Sequence, residues 1–187
     1  MVIDQQEYTI GGIHYTIRSA EEKDAAALCP LRVQLDGETE NMDREAGEAY
    51  LDAAGFRELI RMDAEKSTNL FLVAVVSGDI AGYCRCAGSE LKRFSHQVEF
   101  GVCVAKSFWG CGIGKNLLKH SLQWADGNGI EKVALKVLAT NEKAVKLYQQ
   151  NGFEIEGVLK RDRRHADGRY YDTIVMGRFA AEIDGYE

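Results

Sequence analysis

The stretch Val102-Cys-Val-Ala-Lys-Ser-Phe-Trp-Gly-Cys-Gly-Ile-Gly-Lys115 places glycines at positions 110, 112 and 114 between a predicted strand and a predicted helix. Glycine adopts positive φ at little steric cost and lets a ligand approach the backbone closely. The first amides of a helix have no acceptor within the helix, and they lie at the positive end of its dipole. The stretch therefore predicts a phosphate-binding loop.

Two common phosphate-binding motifs do not fit this loop. A P-loop needs Gly at position 109 and Ser or Thr at position 116, where the sequence has Trp109 and Asn116. A dinucleotide fingerprint needs Gly at position 115, where the sequence has Lys115. A glycine-rich turn without a ligand is the remaining alternative, and it would cost about 0.5–1 kcal/mol per glycine with nothing to offset it.

A second motif follows in Asn141-Glu-Lys-Ala-Val-Lys-Leu-Tyr-Gln-Gln-Asn-Gly-Phe153. The two segments together resemble the GNAT superfamily of N-acetyltransferases, with its pyrophosphate loop Gln/Arg-x-x-Gly-x-Gly/Ala and its later Asn-x-x-Ala-x-x-Leu-Tyr segment. Gly112 and Gly114 match the two glycines of the loop, whereas Trp109 replaces Gln or Arg. The resemblance covers about residues 98–179. The stretch from Gly168 to Met176 is similar to the branch of ribosomal-protein alanine and small-amine acetyltransferases.

Hydrophobic periodicity and turn residues around these motifs predict the element order strand, two helices, three strands, helix, strand, helix, two strands. The predicted strands are 13–18, 69–76, 80–87, 97–105, 132–138, 153–159 and 170–176, and the helices are 21–34, 44–63, 113–125 and 141–151. This order fits an α/β (α+β) fold in one domain over 1–187. The resemblance implies a mixed, mostly antiparallel sheet of about seven strands with about four helices, and an acetyl-CoA-binding core at about 97–160.

The resemblance also implies acetyl-CoA as co-substrate and a set of residues that would hold it. These are Val102, Cys103, Val104, Trp109, Gly110, Cys111, Gly112, Ile113, Gly114, Lys115, Asn141 and Tyr148. Val102 to Val104 would pair with the pantetheine arm through the backbone, and one amide of that strand would meet the thioester carbonyl. Asn141 and Tyr148 are seven residues apart, which is two turns of one helix face.

Tyr148 is the candidate general acid for the departing thiolate, and Glu99 is the candidate base that removes a proton from the amine. These two residues and Asn141 each have a simpler interpretation. Tyr148 could only pack in the core, and Asn141 could only be a helix N-cap. Glu99 could be a surface carboxylate, with a water chain as the base. Tyr170 and Asp172 alternate along one strand and are candidate substrate contacts. A ping-pong route through Cys111 or Cys103 would need a paired base, so direct transfer is favoured.

Composition narrows the partners. A net charge of −6 and a pI near 5.3 argue against nucleic acid, and no apolar run is long enough for a membrane helix. The first ten residues contain no Lys or Arg, so a signal peptide is not expected and the cytoplasm is the predicted location. Five cysteines without zinc-site spacing predict reduced thiols and no metal.

The sequence leaves three classes of acceptor amine as alternatives. Residues 20–66 carry thirteen acidic against six basic side chains, which favours a cationic small amine or polyamine. The arginines between Arg161 and Arg169 favour instead an amino-acid carboxylate or acidic peptide, and a peptide N-terminus is a third option. An exposed final strand would allow a homodimer. The alternative function is a non-catalytic acyl-CoA-binding regulatory module on the same fold.

Overall fold

The computed structural model describes residues 3–180, so positions 1–2 and 181–187 of the predicted domain lie outside the described residues. In chain order the elements are β1 Gln6–Ile10, β2 Ile13–Ser19, α1 Ala25–Glu38, α2 Ala53–Glu65, β3 Leu70–Val76, β4 Asp79–Gly88, β5 Gln97–Val104, α3 Ile113–Gly127, β6 Lys132–Leu138, α4 Glu142–Gln149, β7 Glu154–Arg164 and β8 Tyr170–Phe179. Short 3₁₀ turns precede α1, β5 and the glycine loop.

The strands form one sheet in the order β1-β2-β3-β4-β5-β6-β8-β7. Every neighbouring pair is antiparallel except β5 and β6. The predicted mixed, mostly antiparallel fold with four helices is therefore confirmed, although the sheet has eight strands rather than about seven. The extra strand is β1, which is mostly exposed and lacks the apolar alternation that reveals a half-buried strand.

Helices cover both faces of the sheet. Alternation along β5 directs Val98 and Phe100 into a core with α3 and α4, whereas Cys103 lies in a second core with α1 and α2. The second core ends at β5, so the β6-β8-β7 part of that face has no helix packed on it among the described residues. None of the helices in residues 3–180 combines the length and apolar content needed to cross a bilayer.

The central hairpin joins β3 and β4 through Ser77-Gly78-Asp79, and a Gly-Asp pair between two apolar runs favours such a turn. Val76 pairs with Asp79, so Ser77 and Gly78 form a two-residue loop with φ of 51° and 93°. Positive φ at both positions is typical of the type I′ turn, whose twist matches that of the flanking strands.

The second predicted helix begins later than the sequence pattern indicates. Residues 44–51 are not helical because Gly47 and Ala49 have φ of 81° and 45°. The helix starts after Asp52, whose carboxylate accepts a hydrogen bond from the Gly55 amide at 2.8 Å. An N-cap of this kind satisfies an otherwise unpaired donor and fixes the start of α2.

The last two strands also differ from the prediction. The basic segment 160–169, predicted as a long connection, mostly extends β7 to Arg164, and only 165–169 connect the strands. The final strand β8 lies between β6 and β7, so the sheet edges are β1 and β7. The expected exposed final strand is therefore wrong, since antiparallel pairing on both sides uses its backbone groups.

Candidate active site

The parallel strands β5 and β6 separate partway along the sheet. They pair only where Gln97–Glu99 faces Lys132–Ala134, and beyond this point β6 pairs only with β8. The rest of β5 keeps its partner β4 on the other side. A gap thus opens in the middle of the sheet, with the free edge of β5 as one wall.

The backbone groups on that free edge can be assigned from the register. Ala105 donates its amide to Ala81 in the strand next to β5, so by alternation Val102 and Val104 direct their backbone groups into the gap. Trp109 supports this assignment, because its indole Nε1 donates to the Val104 carbonyl oxygen at 2.8 Å. An extended ligand in the gap can therefore pair with Val102 and with the amide of Val104.

Cys103 and Trp109 lie differently from the other predicted cofactor residues. The backbone of Cys103 faces β4, and its thiol is buried in the core with α1 and α2. The Trp109 side chain is 48% exposed, and its donor ties the glycine loop to the end of β5. Their contact with a cofactor stays a prediction.

The glycine loop leaves a row of amides without acceptors. Gly110 and Gly112 have φ of 83° and 77°, and Gly112 is the N-cap of α3 in the left-handed conformation. Within residues 3–180 the amides of positions 112–115 donate to no backbone or side-chain acceptor, whereas the Cys111 amide reaches the Phe108 carbonyl at 3.3 Å. Four unpaired donors at a helix N-terminus form a site that fits a pyrophosphate.

Helix α4 presents Asn141 and Tyr148 on the side of the gap where α3 also packs. The Asn141 side chain accepts from the Ala144 amide at 3.3 Å, so its capping role is confirmed and its amide group stays available for a ligand. Tyr148 is 8% exposed, and its ring packs against Phe100 and Phe153.

The Tyr148 hydroxyl makes no hydrogen bond within the described residues. The fully buried side-chain atoms without a partner belong to Trp124, His165 and Thr173, so this unpaired hydroxyl must reach the surface. Burial raises the pKa of Tyr148 to about 12. The phenol therefore stays protonated at neutral pH and can donate a hydrogen bond.

Glu99 approaches the same gap from the other face of the sheet. Its neighbours Val98 and Phe100 lie in the core with Tyr148, and alternation directs Glu99 to the opposite side. The carboxylate is exposed and has no ion pair or hydrogen bond within residues 3–180. The acid and base candidates thus flank the gap, one on each face.

Tyr170 and Asp172 lie on the face of β8 that carries Met176, away from Glu99. Asp172 accepts from Lys160 Nζ at 2.8 Å and from the Arg161 amide at 2.9 Å, which keeps its pKa below the usual range. Tyr170 is 60% exposed, beside the Arg164 guanidinium. Their role as substrate contacts stays a prediction.

The cysteines are free thiols in the described residues. Burial raises the pKa of Cys103 to about 12, so this thiol is protonated and a poor nucleophile. No histidine contacts Cys103 or Cys111 through a hydrogen bond in the range 3–180, so neither thiol has the paired base that a nucleophile needs. In that range there is also no group of three His, Cys, Asp or Glu side chains arranged to hold a metal.

Comparison with known proteins agrees with this geometry. The acetyltransferase (GNAT) family matches residues 36–153. An L-amino acid N-acetyltransferase of Escherichia coli is 32% identical over 108 residues, which are 57% of this chain and 66% of the relative. A GNAT-family acetyltransferase structure from Streptococcus pneumoniae has a TM-score of 0.86 at 30% identity, covering 88% of this chain and 99% of the other. A ribosomal-protein-alanine N-acetyltransferase structure from Brucella melitensis has a TM-score of 0.77 at 26% identity, covering 87% and 98%.

The chain therefore belongs to the GNAT acetyltransferase family, and the resemblance to this family seen in the two sequence motifs is confirmed. The similarity to ribosomal-protein-alanine acetyltransferases is confirmed as well. One charged residue beside the gap, Lys136 on β6, was not among the predicted site residues. Its position on the face of Glu99 follows from the pairing of Glu99 with Ala134, which the sequence does not reveal.

Proposed function

We propose that this protein transfers the acetyl group of acetyl-CoA directly to a primary amine. The observation that carries the proposal is the gap between β5 and β6, with free amides at one end and Glu99 and Tyr148 on its two faces. The proposal treats the chain as a single acetyltransferase domain, with the cofactor core at about 97–160, and takes the cytoplasm as its location.

The residues of the gap fit acetyl-CoA, which supplies an acetyl group already activated as a thioester. The unpaired amides of Gly112, Ile113, Gly114 and Lys115 would bind the pyrophosphate, and the Lys115 side chain would add positive charge. The backbone of Val102 and Val104 would hold the pantetheine arm as an added strand. The Asn141 amide group would bind the arm from the α4 side.

The two side chains that flank the gap would divide the proton transfers. Glu99 would take the proton that an alkylammonium must lose before it can attack, since the unperturbed pKa of such a group is about 10. Tyr148 would donate a hydrogen bond to the departing sulfur. A phenol with a pKa of about 12 is a weak acid. Desolvation would also raise the pKa of the coenzyme A thiol, which would narrow the difference between the pKa values of the phenol and the thiol.

The test is an assay of thiol release from acetyl-CoA against polyamines, amino acids, aminoglycosides and N-terminal peptides. Tyr148→Phe should lower kcat by about 100-fold or more with little change in stability, because the hydroxyl makes no internal hydrogen bond. Tyr8→Phe is the matched control: it removes a hydroxyl that bonds His120 at 2.7 Å outside the gap, so turnover should persist.

Three outcomes would each count against part of the proposal. Binding of coenzyme A without turnover of any amine would favour the non-catalytic acyl-CoA-binding module. Full activity of Tyr148→Phe would remove the assignment of Tyr148 as the acid. Failure to bind coenzyme A at all would remove the assignment of the glycine loop.

A further inference from the structure

A cavity of about 460 Å³ lies on the Glu99 face of the sheet, where β5 and β6 begin to separate. The ends of β4, β5 and β6, the turn before β5, and β8 form its walls. The residues that matter for its chemistry are Ala87, Phe94, Glu99, Ala134, Lys136 and Val175. The cavity adjoins the gap assigned to acetyl-CoA, so its occupant would meet the acetyl group.

The cavity contains two charged side chains of opposite sign, Glu99 and Lys136. Both are exposed, and neither has an ion pair or hydrogen bond among residues 3–180. Two other basic side chains on this face are paired: Lys132 with Glu156 at 2.6 Å, and Arg163 with Asp43 at 2.5 Å. Among the residues that line the cavity, Lys136 is the one cation.

The spacing of the two charges fits one small ligand. Glu99 is level with Ala134, and Lys136 is two residues further along β6 on the same face. A strand separation of about 4.8 Å and a rise of about 3.3 Å per residue place the Cα atoms of Glu99 and Lys136 at least about 8 Å apart, and both side chains leave the same face of the sheet. The ammonium and carboxylate of an α-amino acid, each at about 2.8 Å from its partner, span a similar length.

We propose that Lys136 binds the carboxylate of the acceptor, so that the enzyme acetylates α-amino acids in preference to simple amines, polyamines and peptide N-termini. This inference rests on the proposed acetyl transfer at Glu99. A polyamine would bring a second positive charge toward Lys136, and a peptide N-terminus has an amide where the carboxylate would lie.

The remaining walls select the side chain of the acceptor. Phe94 lines the cavity with 48% of its surface exposed, and Ala87, Ala134 and Val175 complete an apolar surface. The favoured acceptors are therefore amino acids with apolar side chains of moderate size, such as leucine and methionine.

The experiment compares leucine with leucine amide, which keeps the amine and side chain but lacks the carboxylate. The wild-type protein should give kcat/KM for leucine at least tenfold above that for the amide. Lys136→Gln should lower kcat/KM for leucine by about 10- to 100-fold through KM and leave the amide within twofold. Lys136→Arg should restore most of the loss, and Lys23→Gln, at an exposed lysine that does not line the cavity, should change neither.

Calorimetric binding of leucine to the coenzyme A complex tests the same contact without turnover. Loss of leucine binding in Lys136→Gln supports the inference whether or not any acceptor reacts. If no acceptor reacts, only the proposed acetyl transfer is overturned. The inference would be overturned, while acetyl transfer stands, if the wild-type protein prefers leucine amide or a polyamine. It would also be overturned if Lys136→Gln lowers kcat/KM equally for leucine and leucine amide.

Discussion

Substitution of Gly112 by alanine tests whether the left-handed start of α3 builds the phosphate site. Gly112 has φ of 77°, where an L-residue costs about 1–2 kcal/mol. An added Cβ would also lie 2.8 Å from Ile10 Cδ1, so the Ile10 side chain must leave its position. Moving it off its rotamer adds about 1 kcal/mol. Gly112→Ala should therefore reduce the free energy of unfolding by about 2–3 kcal/mol.

Substitutions at two other glycines measure the cost of positive φ alone, without a contact like that of Gly112 with Ile10. Gly110 and Gly129 have φ of 83° and 69°, and a Cβ at either position meets no atom within 4 Å. Gly110→Ala and Gly129→Ala should each lose only about 1–2 kcal/mol in urea unfolding. In a double-mutant cycle, Ile10→Ala should recover the excess loss of Gly112→Ala and leave its backbone term.

Coenzyme A binding, measured by calorimetry, completes this prediction. Gly112→Ala should weaken binding at least tenfold, since each charge-assisted hydrogen bond to the pyrophosphate contributes about 1.5–3 kcal/mol. Gly129→Ala, at the far end of α3, should bind normally. If Gly112→Ala keeps its stability and its affinity within twofold of wild type, the left-handed N-cap does not build the site.

Three further changes test the surrounding structure by urea unfolding. Thr173→Val should stabilise the protein by about 1 kcal/mol, because the buried Thr173 hydroxyl has no partner among residues 3–180; a loss would reveal a hidden hydrogen bond. Arg85→Leu should cost about 3 kcal/mol, because Asp63, 2% exposed, loses its ion pair at 2.5 Å; an unchanged midpoint would contradict this. Burial lowers the pKa of His120, so the unfolded state binds more protons and the free energy of unfolding falls as pH drops through about 6.5. His120→Gln should flatten that part of the plot of unfolding free energy against pH. An unaltered slope would refute the linkage.

The glycine loop and the helix of Tyr148 could be predicted because local sequence determines their geometry. Alternate glycines after a strand specify positive φ and an open helix N-terminus, and Asn141 is a good N-cap in any context. Strand β6 was predicted at its full extent, Lys132–Leu138, because its apolar residues lie between clear turn signals.

The acceptor side depends on pairing between distant segments, which local patterns do not encode. Lys136 looks like an ordinary exposed residue of an alternating strand until the register places it beside Glu99. The arginine segment shows the converse. Arg163 was a candidate for holding a carboxylate, but it pairs with Asp43 in the α1–α2 connection. Counting charges along the chain could not distinguish Arg163, which is paired, from Lys136, which has no partner among the described residues.

The N-terminal hairpin, which carries neither motif, contacts the glycine loop and the first turn of α3. Gly112 lies against Ile10 and the Tyr15 hydroxyl, and Tyr15 accepts a 2.7 Å hydrogen bond from Asn116 in the first turn of α3. Tyr15 and Ile17 are fully buried beneath the same helix. Asn116, where a P-loop would place its metal-binding hydroxyl, thus anchors α3 to the sheet. The direction of the free amides depends on packing against β1 and β2 as well as on the glycines.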